Sequence, residues 1–566
     1  MSCEHLNIRV YSWLVWGLIG LCCLAGCAQH DYKADADEKV YNIIDQKWRE
    51  EFGSKANYKV SDVAPSPDDI QIAKTIPAGS VLSLPQAVAI ATAHNRDYQL
   101  EKELLYTMAL DLRLTRHGFE TRYFSGARQA YGKEGPDEGV GGEVDLGFDR
   151  LLAGGTRIGT KVGIAWFSVL TGDVSGGLAS ILSAAITQPL LRGSSREVVQ
   201  ENLTQAERNT LYQLRSFNRF RKTFVVLVIT QYYQTLQLLE VAEHAKQNCE
   251  TLTWLGSRVE KLVAAGRLPA EELDRVRQEI LQARDAYLQA HKEYGLMLDS
   301  FKITLGMPTT AEFHLDAREL NSLRAMQVSY PDFSEVQAIE TALAQRLDLA
   351  NSADAIADAE RKVLVAADAL RGELNIFVGV DATSLTDSSE LAGVGALDDA
   401  SVTDRNRLNP LRRLRDNNPL RSFLNESEIG IDGELPLDRV AEQNVFRKAL
   451  LTLNQRKREC ELAQDTMRLE IRQAYRDLTE AIERYKVSSE GLKLAQKRFR
   501  NTVLLMKYGR ASSRRVLNAQ NALFDAQDAA SEALVNYIVA TLNFYRDSGV
   551  LQVRPDGMWE RRTAKG

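Results

Sequence analysis

Two long stretches of this chain place apolar residues at steps of three and four. In the first they run Ile229, Tyr232, Leu236, Leu239, Ala242, Ala245, Cys249, Leu252, Leu255, Val259 and Leu262. In the second they run Ile471, Tyr475, Leu478, Ile482, Tyr485, Leu492, Ala495, Phe499, Val503 and Met506, with Ser489 in the one gap. This spacing predicts coiled-coil-like helices over about 195–265 and 437–508. Elsewhere the pattern switches to period two, with frequent Gly. Glu143-Val-Asp-Leu-Gly-Phe148, Arg157–Ile164, Leu374–Val380 and Ile429–Glu434 alternate, and further strands are expected at 119–130 and 180–188. Alternation predicts strands with one oily and one wet face, as in a barrel wall; a soluble hairpin has the same pattern.

The plan occurs twice. Copy one opens at Leu82-Ser83-Leu84-Pro85, and copy two at Ser334-Glu335-Val336. With Ser83 and Ser334 as N-caps, opening helices are expected over about 84–117 and 334–372. Each β section ends in an elbow, Gln188-Pro-Leu-Leu-Arg-Gly193 and Leu435-Pro-Leu-Asp-Arg439. Proline cannot continue a ladder but suits a first helical turn. Each long helix ends in a glycine break, Ala264-Ala-Gly-Arg267 and Tyr508-Gly-Arg510. Return helices are expected over about 270–305 and 512–547. Gly266 aligns with Gly509, and Ile229–Tyr233 with Ile471–Tyr475, at nearly the same offset.

Lengths suggest how a repeat is built. A helix over 195–265 is ~105 Å long, and the opening and return helices stacked end to end match it. Rods this long lack a globular core of their own, so their stripes must face other helices. The same geometry puts Cys249 ~26 Å and Cys460 ~74 Å from their tips, so they cannot bridge if the tips share one end. Both are read as buried small hydrophobes.

Composition narrows the class. The 566 residues carry 70 Lys+Arg and 76 Asp+Glu, a net charge of −6. At 26% charged residues, a polytopic helical membrane protein is excluded. Mild, dispersed acidity gives no sign of nucleic-acid binding. No GxSxG, phosphate loop or CxxC is present, and no two of the seven His sit at i, i+4. The expectation is a non-enzyme with no metal and no cofactor.

The N-terminus reads as an address. Arg9 precedes an uncharged apolar run, Tyr11–Leu24, which ends in Leu24-Ala-Gly-Cys27. The run is too short to span a bilayer and suits a signal peptide. The Cys-terminated motif resembles the lipobox of bacterial lipoproteins, which implies cleavage before Cys27 and acylation there; the alternative is an ordinary signal peptide with a chance Cys. Ala28 in place of Asp implies the outer membrane. The expected layout is a signal peptide over 1–26, a lipid anchor and extended linker over 27–80, a first repeat over 81–310, an inter-repeat linker over 311–333, a second repeat over 334–550 and a tail over 551–566.

Taken together these pieces resemble the TolC-type outer-membrane efflux channel family, in its lipoprotein form. The resemblance covers about 81–550, and its most specific pieces are Gln188–Gly193 and Tyr508–Gln520. It implies a mostly α fold with a small antiparallel β part, a duplicated helix–strand–strand–long-helix–helix repeat. Three copies, with four strands each, would form a twelve-stranded outer-membrane barrel on a long periplasmic α-helical barrel. It further implies a homotrimeric exit duct docking a periplasmic adaptor and an inner-membrane pump through tips at Gly266, Arg267, Gly509 and Arg510. The family's gating carboxylates fall on Arg515 and Asn518 here, a departure. A candidate gate is instead a pairing of Glu271, Glu272 and Asp274 with Arg510, Arg514 and Arg515 across neighbouring helices. The arginine-rich segment 384–424 is expected to be an extracellular loop. The competing readings are a periplasmic coiled-coil scaffolding lipoprotein with no transport role, and a periplasmic adaptor, whose lipoyl-like domains are not seen in the sequence.

Overall fold

The computed structural model describes residues 29–49, 81–134, 137–169, 176–325, 333–386, 424–435, 437–508, 510–554 and 559–561, with scattered positions in 52–60 and 328–331, and Gly79. The signal peptide, Cys27, Gly509, Pro436 and the loop core 387–423 lie outside the described residues. The chain divides into two compact units. One comprises residues 1–107, 211–352 and 459–566, and the other 108–210 and 353–458.

The first repeat contains α2 (Leu84–His94), α3 (Arg96–His117), strands β2 (Arg122–Glu134), β3 (Asp137–Leu151), β4 (Arg157–Val169) and β5 (Gly176–Pro189), then α4 (Arg196–Val199), α5 (Glu201–Ala264) and α6 (Ala270–Thr304). Before it lie α1 (Gln29–Lys47) and the two-residue β1 (Val81–Leu82). Between the repeats come β6 (His314–Leu315) and α7 (Arg318–Ala325). The second repeat contains α8 (Glu335–Gln345), α9 (Leu347–Asp368), β7 (Glu373–Thr386), β8 (Leu424–Glu434), α10 (Val440–Lys507) and α11 (Ser513–Asp547). A short hairpin of β9 (Leu551–Val553) and β10 (Trp559–Arg561) ends the chain.

The mostly helical fold with an antiparallel sheet agrees with the reading of the sequence, with three corrections. First, each opening helix is broken once. Asn95 leaves the helical region (ψ 133) and closes α2 by donating its N–H to the Ala91 carbonyl. Its side chain then accepts from the Tyr98 N–H at 3.0 Å and so caps α3. Arg346 breaks the second opening helix at the matching place, between α8 and α9. Second, residues expected to be an extended linker fold as α1. Its Val40, Ile43 and Ile44 are buried, and Asp37 accepts a hydrogen bond from the Tyr106 hydroxyl at 2.5 Å. Third, the first repeat carries four strands and the second two. Among the described residues the sheet therefore has six strands, where the resemblance implied four.

The duplication is physical as well as sequential. Tyr232 meets Phe301 edge-on at 6.1 Å, and Tyr475 meets Phe544 edge-on at 5.9 Å. Both partners are displaced by the same offset between repeats. Ser83 and Ser334 each open their helix by donating the backbone N–H to the glutamine three residues on, at 3.1 and 2.9 Å. At Ser334 the Gln337 N–H donates back to the serine hydroxyl at 3.4 Å, which completes a capping box. Each return helix ends at a glycine with positive φ, Gly306 (73°) and Gly549 (82°). A Cβ on Gly306 would collide with the His94 carbonyl, and one on Gly549 would touch Gln345. The end of each return helix is therefore seated on the break in its own opening helix.

Gly306 and Gly193 share a left-handed backbone but differ in surroundings, since nothing lies within 4 Å of a Cβ on Gly193. Gly193→Ala is expected to cost only the conformational term, about 1–2 kcal/mol. Gly306→Ala adds a backbone collision. Thermal melts by circular dichroism should show the larger drop for Gly306→Ala; equal drops would contradict the seating described.

Candidate functional site: a two-faced sheet, a polar belt and two helical tips

Six strands form one antiparallel sheet in the order β2-β3-β4-β5-β7-β8. Residues directly opposite in an antiparallel ladder share a face. Val144 faces Ile164, Leu146 faces Val162, Val162 faces Leu182, Ile186 faces Val378, and Val378 faces Ile429. These side chains make one face apolar, and it is open: Leu146 is 62% exposed and Ile429 78%. Such a face on a soluble protein would have to be covered.

The other face carries small residues and paired charges. Arg122 meets Asp149 at 2.8 Å across β2 and β3, and Lys161 meets Glu143 at 2.6 Å across β3 and β4. Asp145 lies 3.8 Å from the same ammonium. Aromatic rings lie over glycines on this face, Phe124 over Gly147 and Phe377 over Gly430. A side chain on either glycine would displace the ring, so each ring fills the notch a glycine leaves.

The helix-side turn between β3 and β4 is locked to the elbow. Gln188 accepts from the Thr156 hydroxyl and donates to the Gly154 carbonyl at 3.3 Å. The Leu190 N–H donates to the Leu374 carbonyl, and the Gly193 N–H to the Asp368 carboxylate, both at 2.7 Å. The Gln-Pro-Leu-Leu-Arg-Gly motif is thus the joint where sheet meets helix, and it ties the two repeats together.

A polar belt joins the repeats among the helices. Arg324 of α7 reaches both carboxylate oxygens of Glu240 on α5 (2.7 and 2.6 Å) and the Ser531 hydroxyl of α11 at 2.8 Å. Burial works to raise the Glu240 pKa, but hydrogen bonds from Arg324 and Ser531 hold it below the usual carboxylate value. Nearby, His244 Nδ1 lies 2.7 Å from Asp528. That hydrogen bond raises the imidazole above its ordinary 6.5, against the opposing effect of burial. Reading the sequence by stripe and motif missed this belt, because its members are polar and lie far apart in the chain.

The tips are built as capped turns. At the first, Arg267 N–H donates to Leu262 O and Gly266 N–H to Val263 O, both at 2.9 Å, with Gly266 at φ 69°. This is a Schellman closure. Below it Leu252, Leu255, Val259, Val276, Ala283 and Leu517 form a buried cluster with Cys249 against it. At the second, Arg510 N–H donates to Leu505 O at 2.8 Å. Arg267 and Arg510 are both exposed. Glu272 pairs with Arg275 at 3.0 Å and Asp274 with Arg277 at 3.9 Å. Glu271, Arg514, Arg515 and Asn518 are exposed. Within one chain, among the described residues, no ion pair joins the acidic cluster to the arginines. Of the two thiols, Cys460 is buried and Cys249 half-buried, and both are free.

No protein-family model matches the sequence, and no curated protein matches it. Solved structures do. The Campylobacter jejuni CmeC outer membrane channel matches with a TM-score of 0.56 at 13% identity, over 91% of this chain and 93% of that one. The open state of the Neisseria gonorrhoeae MtrE outer membrane channel matches with a TM-score of 0.55 at 13% identity, over 87% and 93%. CusC, described by its transmembrane channel formation, matches with a TM-score of 0.55 at 14% identity, over 82% and 92%. The chain therefore has the fold of outer-membrane channel proteins, as the TolC-type resemblance implied.

The pKa of His244 is raised on folding, so the folded state binds its proton more tightly. The resulting stability is present below pH 6.5 and is lost as pH rises through the raised value. Melting temperature should fall across that window for the native chain and less for His244→Gln. Identical pH profiles would show that the pair contributes nothing.

Proposed function

We propose that this chain is the outer-membrane channel of a tripartite efflux or type I secretion system, a TolC-type passive exit duct. The observation that carries this reading is the sheet, with its open apolar face on one side and its charged, glycine-rich face on the other. Strands of 11 to 15 residues meet or exceed the ~9–11 needed to cross a bilayer. In lipid the apolar face needs no protein cover, while the other face lines water. Open sheet edges are not tolerated in lipid, so the wall requires sister copies, and a homotrimer is the assembly the resemblance implies.

The proposed docking tips lie around Gly266, Arg267, Gly509 and Arg510, where Arg267 and Arg510 are exposed and an apolar cluster packs below the first tip. They suit docking to a periplasmic adaptor, and through it to an inner-membrane pump. Cys27 is the proposed lipid anchor. A pairing of Glu271, Glu272 or Asp274 with Arg514 or Arg515, near Asn518, is the proposed gate, made between sister copies. Exposed pairs are worth at most ~1 kcal/mol each, so only a symmetric ring of them has weight. The alternative, a periplasmic scaffolding lipoprotein, leaves the apolar face of the sheet without an environment.

Outer-membrane fractions should contain heat-modifiable, SDS-resistant oligomers that conduct ions in planar bilayers; soluble, non-conducting protein would support the scaffold instead. Leu182→Arg places a charge in lipid at a cost of about 2–4 kcal/mol and should block oligomer assembly. Ala185→Arg, at an exposed position on the opposite face of the same strand, should assemble. Reversing Glu272 and Arg515 singly should raise conductance, and reversing both should restore it; three unchanged values would remove the gate.

A further inference from the structure

The strand count changes the channel that three copies would make. We infer that the wall is an eighteen-stranded barrel, closed by pairing β8 of each copy with β2 of the next, and wide enough for bulky hydrophilic cargo. The inference rests on the trimeric channel proposed above and deepens it.

The added hairpin is part of the wall by register and by strand length, and β3 by its apolar face; on that face β2 carries Tyr123 and Tyr131 at its ends with Ser125, Ala127 and Gln129 between them. Its ladder is continuous: β2 pairs with β3 from Arg122–Asp149 through Glu134–Asp137, and β3 with β4 from Gly139–Val169 through Leu151–Arg157. Its strands are 13 and 15 residues long, matching the 14 of β5 and β7. Its β3 continues the apolar face through Val144 and Leu146, and its wet face carries the Arg122–Asp149 pair. The turn that joins it to β4 is locked to the elbow by Gln188. A soluble excursion has no need of a lipid-type face or of register with the wall.

The edges say how it closes. Among the described residues, strands β2 and β8 lie at the two ends of the order, each with one edge that no other described strand pairs. Six strands are too few for a membrane barrel, which starts at eight. Successive strands alternate in direction, so β2 and β8 run antiparallel and can pair between copies without breaking the alternation. Three copies of a six-stranded sheet make eighteen strands. At ~4.8 Å between strands and a tilt near 40°, each strand takes up roughly 6 Å of circumference. The barrel is then about 36 Å across its backbone, against about 24 Å for twelve strands. Barrels of 16–18 strands hold an aqueous channel. After side chains line both walls, the wider one admits cargo about 20 Å across, such as a polypeptide hairpin, where the narrower one admits a single helix.

Cysteine cross-linking tests this on the full chain in cells, in a Cys249→Ser, Cys460→Ser background. Ser125→Cys or Ala127→Cys on β2, combined in turn with Ile429→Cys or Ile431→Cys on β8, should give an SDS-resistant ladder ending at a covalent trimer after oxidation. Val162→Cys with Ile429→Cys probes the other arrangement, in which β4 is the edge and the added hairpin lies outside the wall. A trimer ladder from that pair, with none from β2–β8, overturns the eighteen-stranded wall and leaves the trimeric channel standing. Disulfides confined within one chain, a ladder ending at a dimer, or no cross-link at any pair overturns both.

Discussion

The constraint on which the rest depends is that a sheet with one oily face cannot stand in water, and a sheet with open edges cannot stand in lipid. Both conditions apply to the six strands here. The apolar face runs from Val144 and Leu146 through Val162, Leu182 and Val378 to Ile429 and Ile431, with Ser180 set among them opposite Ile164, and among the described strands β2 and β8 are the two edges. In the proposed channel both needs are met at once, by a ring of copies with the oily face turned outward. That solution turns the opposite face, with Lys161 between Glu143 and Asp145, toward water.

The helical part obeys a related rule. Its helices carry narrow stripes, so they are held by joints at fixed places. Gly306 and Gly549 seat the return helices on the breaks at Asn95 and Arg346. Arg324, on the segment between the repeats, ties Glu240 to Ser531. Gln188 and Asp368 fix the sheet turn and the elbow in the other unit. Polar residues specify these joints, while aromatic pairs repeated at one offset supply the packing between them.

Much of this was legible in the sequence because it is periodic. The stripe from Ile229 to Leu262 defined α5, and the alternation at Glu143–Phe148 and Arg157–Ile164 defined β3 and β4. What stayed hidden was set by single residues or by contacts between distant parts. Asn95 breaks a helix by capping both sides of itself, which no stripe reveals. The helix over Gln29–Lys47 was masked by its polar composition, since three apolar side chains suffice to dock it. The six-strand count was hidden differently: strands at 119–130 and 180–188 were visible, but the resemblance set the expected number at four. At the tips, Gly266 was legible as a C-terminal turn, whereas Glu272 pairs with Arg275 on its own helix.

The most direct measurement is a density map of the full-length protein in lipid nanodiscs, at a resolution that separates strands. The account predicts a three-fold ring whose β-wall crosses the bilayer, with Val144, Leu182 and Ile429 against lipid and Lys161 toward the bore. A single copy, or an assembly whose sheet lies in water away from the bilayer, would contradict it.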